Sequence, residues 1–386
     1  MTSELSIFAA RLREHIGFCA EEFSRTDAVN DSAWAQHADA EFNGLAILLF
    51  TLQFAHNQPY RIICEAQGVT PDAITHWKQI PTVPTAAFKE LELTSLRPEQ
   101  RSQVFHSSGT TEQRPSRHFH NAESLAVYEA SLWPWLMENC GVPIAECRLL
   151  SLTPPPAQAP HSSLVHMFDF ARRQFGADES VFLGRAVEAG SWTLDIDAAI
   201  RALTEPDARP RLVLGTAFSF VHLLDAFAER NLRLKLPAGS RVLETGGYKG
   251  RSRTMPKAEL HRLITERLGV SDSHIICEYG MSELSSQAYD AVGLKPDVSS
   301  LKSRHSSPGT RHFKFPPWAR ARVVSPETGR EVAEGETGLL QVFDLANVFS
   351  VLAIQTEDLA VRRGDGFELI GRAQLAEPRG CSLMAT

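Results

Sequence analysis

Three short segments bring together residue types suited to phosphate and carboxylate chemistry. The first is Phe105-His106-Ser107-Ser108-Gly109-Thr110-Thr111-Glu112, directly after the apolar pair Val104-Phe105. Small hydroxyl residues around a glycine let the backbone approach a phosphate. Successive N–H groups, with the hydroxyls of Ser107, Ser108, Thr110 and Thr111, can then encircle its oxygens. The G-K-[ST] ending of a Walker A loop is missing, and a Ser/Thr-rich surface turn accounts for the same residues.

The second segment runs from Glu244 through Thr245-Gly246-Gly247-Tyr248-Lys249-Gly250 to Arg251-Ser252-Arg253, at the end of another apolar run. In open α/β sheets ligands bind beyond the carboxyl ends of strands. Gly246-Gly247 lets a flat base lie against the backbone, and Lys249, Arg251 and Arg253 can neutralise phosphates. A tight turn carrying solvated basic residues is the competing reading. The third segment is Cys277-Glu278-Tyr279-Gly280-Met281-Ser282-Glu283-Leu284-Ser285-Ser286-Gln287. It lacks the second glycine of a G-x-S-x-G nucleophile elbow, which disfavours a serine hydrolase. Glu283 beside hydroxyls can hold Mg²⁺ near a triphosphate, with water and phosphate as the other ligands. The alternative is a helix N-cap at Ser282, although Ser285 stands where a capping box needs Glu or Gln.

These segments need a rigid frame. Residues 1–68 read as helices: Leu5, Phe8, Leu12 and Ile16 recur at helical spacing, and Phe42 to Phe54 is strongly apolar. The stretch Gln79 to Thr85 reads as a loop, because Pro81 and Pro84 disfavour both a helix and a ladder. Beyond it, compact apolar runs at 104–105, 148–152, 211–214 and 241–244 alternate with helical patterns at 122–133, 218–230 and 257–268. Strands alternating with helices predict an α/β fold with a mostly parallel sheet. Runs at 321–324, 338–343 and 359–363, separated by Pro, Gly and Asp, predict a small antiparallel β subdomain.

The 386 residues are 43% hydrophobic and 22% charged, the composition of an ordinary globular protein. A net charge of −7 and pI near 6.1 argue against a dedicated nucleic-acid or anionic-membrane binder. Six cysteines without a C-x-x-C suggest free thiols in a reducing compartment. No basic and apolar leader opens the chain, and the run Leu45–Phe54 is too short to cross a bilayer, so a cytoplasmic location is expected. His118 and His120 form an H-x-H with no third ligand in view, so no zinc site is proposed.

Taken in order, S-S-G-T-T, a G-G step about 140 residues on and Y-G-x-[ST]-E resemble the adenylate-forming superfamily of acyl-CoA synthetases. Gln355-Thr356-Glu357-Asp358-Leu359 is similar to the superfamily's T-x-D segment, and Gly371-Arg372 to its hinge G-R. Within it, Phe42-Asn43-Gly44-Leu45-Ala46, His56 to Arg61, Pro81 to Lys89, Glu244 to Gly247 and Arg379-Gly380-Cys381-Ser382 resemble the acyl-protein synthetase (LuxE) family. The resemblance covers the chain from about residue 42 onward.

It implies a large N-terminal domain of the adenylate-forming fold, with residues 1–100 its helical part. Residues 101–320 would be its α/β nucleotide- and acyl-binding core, and 321–386 a small β subdomain with the tail. It also implies use of ATP and Mg²⁺ to activate a carboxylic acid, expected to be fatty, as acyl-AMP, with transfer to a protein thiol and onward to a carrier or reductase. By the same resemblance, Ser107, Ser108, Gly109, Thr110 and Thr111 would cradle the phosphates, and Gly246 and Gly247 would line the adenine. Tyr279, Gly280 and Ser282 would join the nucleotide site. Glu283 would hold Mg²⁺, Asp358 and Arg372 the ribose, and Cys381 would carry the acyl group. Arg379 beside Cys381 would favour its thiolate; an ordinary tail cysteine is the bland alternative.

Two departures stand out. Glu112-Gln113-Arg114-Pro115 occupies the place of a Gly and Lys, leaving Arg114 or Arg117 to supply the cation. The chain also stops about fourteen residues after Gly371-Arg372, so the small C-terminal domain with its adenylation lysine is expected to be absent. Of only eight lysines, Lys249 alone lies in a nucleotide motif and is the candidate substitute. His161, His166, Met167, Phe168, Phe218 and Phe220 lie in segments that could line an acyl pocket, although ordinary core or loop is the readier explanation of each. The competing functions are an acyl- or aryl-CoA ligase and a catalytically silent nucleotide- or acyl-binding subunit.

Overall fold

The computed structural model describes residues 3–24, 32–107, 114–141, 147–176, 180–187, 192–246, 255–290 and 311–372. Its first part comprises α1 (Glu4–Ser24), α2 (Ser32–His56), α3 (Gln58–Ala66), β1 (Val83–Pro84) and α4 (Ala87–Glu90). Then come β2 (Gln103–His106), β3 (Arg117–His120), α5 (Ala122–Cys140), β4 (Arg148–Ser151) and α6 (Ser163–Phe175). The middle holds β5 (Val181–Phe182), β6 (Gly184–Ala186), β7 (Trp192–Leu194), α7 (Ile196–Thr204), β8 (Arg211–Thr216) and α8 (Ala217–Glu229). The last elements are β9 (Arg241–Thr245), α9 (Lys257–Leu268), β10 (Ile275–Tyr279), β11 (Ala288–Tyr289), β12 (Ala319–Val324), β13 (Thr337–Asp344), β14 (Ala353–Arg363) and β15 (Gly366–Arg372).

The larger sheet has the order β11-β10-β9-β8-β4-β5, and every pairing except β10–β11 is parallel. Its central strands are buried at every or nearly every position, as expected where helices cover both faces. One face packs on α7, α8 and α9 through Phe220, Leu224, Phe227, Leu260 and Ile264. The other packs on α5 and α6 through Leu132, Leu136, Phe168 and Phe170. Each fully buried Phe here stabilises the fold by roughly 1.5–3 kcal/mol through area removed from water.

The second sheet is β1-β14-β13-β12 with β15 on β14, antiparallel but for the parallel pair β1–β14. It shares one core with α1 and α2, in which Leu12, Leu49, Phe50, Trp318 and Phe343 are all buried. The β1 strand corrects the expectation of a plain loop at 79–85. Pro84 pairs with Gln355 at the sheet edge, where its missing N–H costs no ladder bond, and Thr85 N–H donates to Gln355 O at 3.0 Å. A second difference is α5, which runs through Pro134 to Cys140 rather than ending at 133. An interior proline costs about 3 kcal/mol, and burial of Leu132, Leu136 and Cys140 against the sheet outweighs it.

The helical layer is also stitched to the turn between β13 and β14. Gln53 donates to Asn347 O at 2.8 Å and accepts from Leu352 N–H at 3.0 Å, and Asn57 donates to Ser350 O at 3.0 Å. All three contacts are buried, so each unmade partner would carry a desolvation cost of about 1–3 kcal/mol. This turn is the support on which the third motif rests. Among the described residues, no helix is long and apolar enough to cross a membrane.

Candidate active site

The carboxyl ends of β9 and β10 point the second and third motifs to the same edge. Thr245 and Glu278 are register partners there, and Thr245 Oγ1 donates to Glu278 Oε2. The chain leaves β9 through Gly246 in the left-handed region, φ 73°, with nothing within 4 Å of where a Cβ would stand. Glycine is therefore required here by conformation rather than by crowding. Gly247 and Lys249 lie outside the described residues, as do Ser108, Gly109, Thr110, Thr111 and Cys381.

After β10 the chain turns instead of starting a helix, so the N-cap reading of Ser282 is corrected. The reason is a buried carboxylate from the second sheet. Asp344 accepts from Ser285 N–H at 2.9 Å, Ser286 N–H at 2.8 Å, Ser286 Oγ at 2.7 Å and Ala346 N–H at 2.9 Å. These donors would otherwise begin a helical ladder. Asn347 donates to Glu283 O at 3.0 Å, and His118 Nδ1 donates to Ser282 O at 2.9 Å. Burial lowers His118 to about 4, so it stays neutral and serves as a fixed donor. Its H-x-H partner His120 is equally buried, and burial pushes it well below the ordinary value.

Within this clamped turn, Ser282 Oγ donates to Glu283 Oε2 at 3.0 Å and lies 3.5 Å from Ser116 Oγ. Ser107, at the end of β2, accepts from Ser116 N–H at 3.0 Å and so closes the base of the first loop. Ser107, Ser282 and Glu283 are therefore brought together by Ser116, which the sequence did not single out. The set is a carboxylate and hydroxyls, all hard oxygen donors of the kind Mg²⁺ takes. Arg117, offered as a spare cation, is paired with Glu92 at 3.2 Å, and Glu92 also binds Arg101 at 2.7 Å. Arg114 lies 3.8 Å from Glu90.

On the other side of the turn, Tyr279 packs its ring against Phe313, Phe315 and Phe367, with centroids 6.0, 6.3 and 5.2 Å away. Its hydroxyl donates to Asp358 Oδ2 at 2.7 Å. Asp358 Oδ1 is 3.7 Å from Arg372 Nε, and burial raises the Asp358 carboxyl despite the Tyr279 bond. The Asp358 and Arg372 positions face each other in the β14–β15 register. Gly280 is exposed beside this pair.

Behind the strand ends, Glu244 and Asp290 are buried carboxylates held by a histidine and by basic side chains. His261 Nε2 is 3.3 Å from Glu244, Lys257 binds Asp290, and Arg311 lies 2.9 Å from His261 Nδ1 and 3.4 Å from Asp290. The network pins α9 to β9 and β10. Cys277 in its midst is pushed well above the usual thiol range by burial and then by Glu244. Of the acyl-pocket candidates, Met167, Phe168 and Phe220 are buried core, His166 pairs with Glu129 at 3.3 Å and His161 is exposed.

Comparison with known proteins fits this geometry. Residues 199–386 match the family model described as acyl-protein synthetase, LuxE. A long-chain-fatty-acid–luciferin-component ligase of Aliivibrio fischeri is 22% identical over 355 residues, covering 86% of this chain and 85% of the relative. The protein of the same name from Vibrio harveyi is 20% identical over 354 residues, covering 86% and 84%. Among solved structures, a 2-hydroxyisobutyryl-CoA ligase in complex with 2-HIB-AMP and CoA superposes with TM-score 0.66 at 13% identity. That superposition covers 89% of this chain and 69% of the ligase, which establishes the adenylate-forming fold. The match over residues 199–386, with the likeness to the two bacterial ligases over 86% of the chain, bears out its resemblance to the acyl-protein synthetases of the LuxE family.

Proposed function

We propose that the chain uses ATP to activate a carboxylic acid as acyl-AMP and then passes the acyl group to a protein thiol. The observation that carries this reading is the Tyr279–Asp358 hydrogen bond of 2.7 Å, which joins segments 79 residues apart beside the Ser282–Glu283 turn. It brings an aromatic ring and a carboxylate oxygen not taken by Tyr279 beside the hydroxyl-carboxylate cluster of the turn. The aromatic face suits a base, the Asp358 oxygen a pair of ribose hydroxyls, and Ser107, Ser282 and Glu283 the phosphate end.

In the first step a carboxylate oxygen of the acid attacks the α-phosphorus and pyrophosphate leaves. Both reactants are anions, so charge neutralisation matters more than acid–base help. Mg²⁺ held by Glu283 would supply much of that neutralisation. Gly246 and Gly247 would flank the adenine, Arg372 the ribose, and Lys249 is the candidate cation at the α-phosphate. In the second step a thiolate attacks the acyl carbon and AMP leaves. The five described cysteines are poor thiolates: burial raises Cys19 and Cys64 to about 11 and Cys140 and Cys147 to about 12, and pushes Cys277 well above the ordinary thiol value. That favours Cys381, outside the described residues, as the acceptor. A long-chain fatty acid, the substrate in the relatives' names, is the starting choice for assay.

The test is acid-dependent ATP–pyrophosphate exchange with wild type and Cys381→Ser. Exchange preserved in Cys381→Ser while covalent acylation of the protein disappears is the expected result. Unchanged thioester formation with CoA in that variant would instead make CoA the acceptor. Absence of exchange with every fatty and aromatic acid tried would leave a silent nucleotide- or acyl-binding subunit.

A further inference from the structure

The sheet face covered by α5 and α6 is apolar along most of its length, with Leu243, Ile276 and Phe168 packed together. One carboxyl interrupts it at the site end. Glu278 is buried, accepts from the Thr245 hydroxyl, and forms no ion pair among the described residues. Directly opposite in the antiparallel β10–β11 pair stands Tyr289, so both side chains project to the same face. The Tyr289 hydroxyl is buried and has no hydrogen-bond partner among the described residues. Burial, and after it the Glu278 carboxyl, raises that phenol.

A buried carboxyl with the Thr245 hydroxyl as donor but no cation, beside a buried hydroxyl with no partner among the described residues, is costly, and packing does not explain it. Nor is the pair sealed from the site. Gly280 is exposed, and a Cβ on it would collide with Glu278 Oε1, so the carboxyl lies immediately beneath a surface that has no side chain. Gly280 lies between Tyr279 and the Ser282–Glu283 turn in the chain, so the surface above the carboxyl adjoins both.

We propose that Glu278 and Tyr289 form the polar end of the acyl site and select a carboxylic acid bearing a hydroxyl or amino group near its carboxyl over the unsubstituted acid. This rests on the acid-activating reading above. The substituent donates to Glu278, which then has a second donor beside Thr245, and a hydroxyl also accepts from Tyr289, which lacks a partner among the described residues. A site built to hydrogen-bond a substrate group rejects analogues lacking it, because its own buried groups are then left unpaired.

The experiment is ATP–pyrophosphate exchange with hexanoic, 2- and 3-hydroxyhexanoic and 3-aminohexanoic acids, using wild type, Glu278→Leu, Glu278→Gln and Tyr289→Phe. The expected wild-type kcat/KM favours a substituted acid by about 10- to 100-fold. Glu278→Leu should erase that ratio and speed exchange with hexanoic acid. Glu278→Gln should keep a hydroxy acid while losing an amino acid, and Tyr289→Phe should shrink the hydroxy-acid preference. If Glu278→Leu fails to fold, as judged by thermal melting, Tyr289→Phe carries the same ratio test with the loss of one oxygen. Wild-type exchange as fast with hexanoic acid as with every substituted acid, with the ratio unmoved in the variants, overturns the proposal. Exchange with no acid, even in a wider fatty and aromatic panel, removes the activation reading and this selectivity with it.

Discussion

Asp358→Asn is the sharpest probe of the nucleotide site. In the wild type, Oδ2 takes the Tyr279 hydroxyl at 2.7 Å, whereas Oδ1 is 3.7 Å from Arg372 Nε, beyond hydrogen-bond length. Oδ1 therefore keeps its accepting capacity for a ribose hydroxyl. Asparagine preserves shape and an acceptor for Tyr279 but removes the charge and one accepting oxygen. A hydrogen bond to a charged group is worth about 1.5–3 kcal/mol, so KM for ATP should rise about 10- to 150-fold. The side chain of Arg372 is 76% exposed, and an exposed ion pair contributes at most about 1 kcal/mol, so Arg372→Ala should raise KM less than about 5-fold. The assay is pyrophosphate exchange against ATP concentration at saturating acid, with the melting temperature as a control on folding. An unchanged KM in Asp358→Asn, or a larger effect from Arg372→Ala, would refute the assignment of Asp358 as the ribose acceptor.

Four further outcomes follow from the same geometry. Burial lifts Glu278 from an ordinary 4.5 to about 7, so its contribution to stability is complete below about pH 4.5 and lost as pH rises through about 7. Urea midpoints of wild type and Glu278→Gln should diverge by roughly 3 kcal/mol across that window, and parallel curves would contradict the buried placement. Gly280→Ala should drive the Glu278 carboxyl out of place and slow exchange, with partial recovery in Gly280→Ala/Glu278→Ala; equal losses in both would mean the two do not touch. Asp344→Ala strands four donors in the core and should destabilise the protein by about 3 kcal/mol or more, read by urea denaturation, where a loss below 1 kcal/mol would show the clamp to be weak. Iodoacetamide at pH 7.5 should label Cys381 before the five buried cysteines, and peptide mapping that finds Cys19 or Cys277 first would exclude the thiol ranking.

Much of the frame was legible along the chain. Helical spacing in 4–16 and 42–54, and short apolar runs within β4, β8 and β9, follow from local periodicity, which depends only on which faces must be dry. The three motifs were likewise local. The exceptions have local causes overridden from a distance. Pro134 does not end α5 because the residues after it are buried, and Pro84 enters a ladder because it lies on an edge.

The sequence by itself therefore determined the class of fold, the order of the motifs and the residue types offered to phosphate and carboxylate. Tertiary structure alone decided how they are held and what surrounds them. Asp344 reaches the Ser285–Ser286 turn from 58 residues away, His118 reaches Ser282 across 164, and Tyr279 finds Asp358 across 79. No spacing rule encodes such pairs, since they arise where separate sheets meet. The same holds for Glu278: a glutamate beside Tyr-Gly is unremarkable as sequence. It becomes informative only when the fold buries it with no cation among the described residues, opposite a hydroxyl with no partner among them, because only burial makes an unpaired polar group costly.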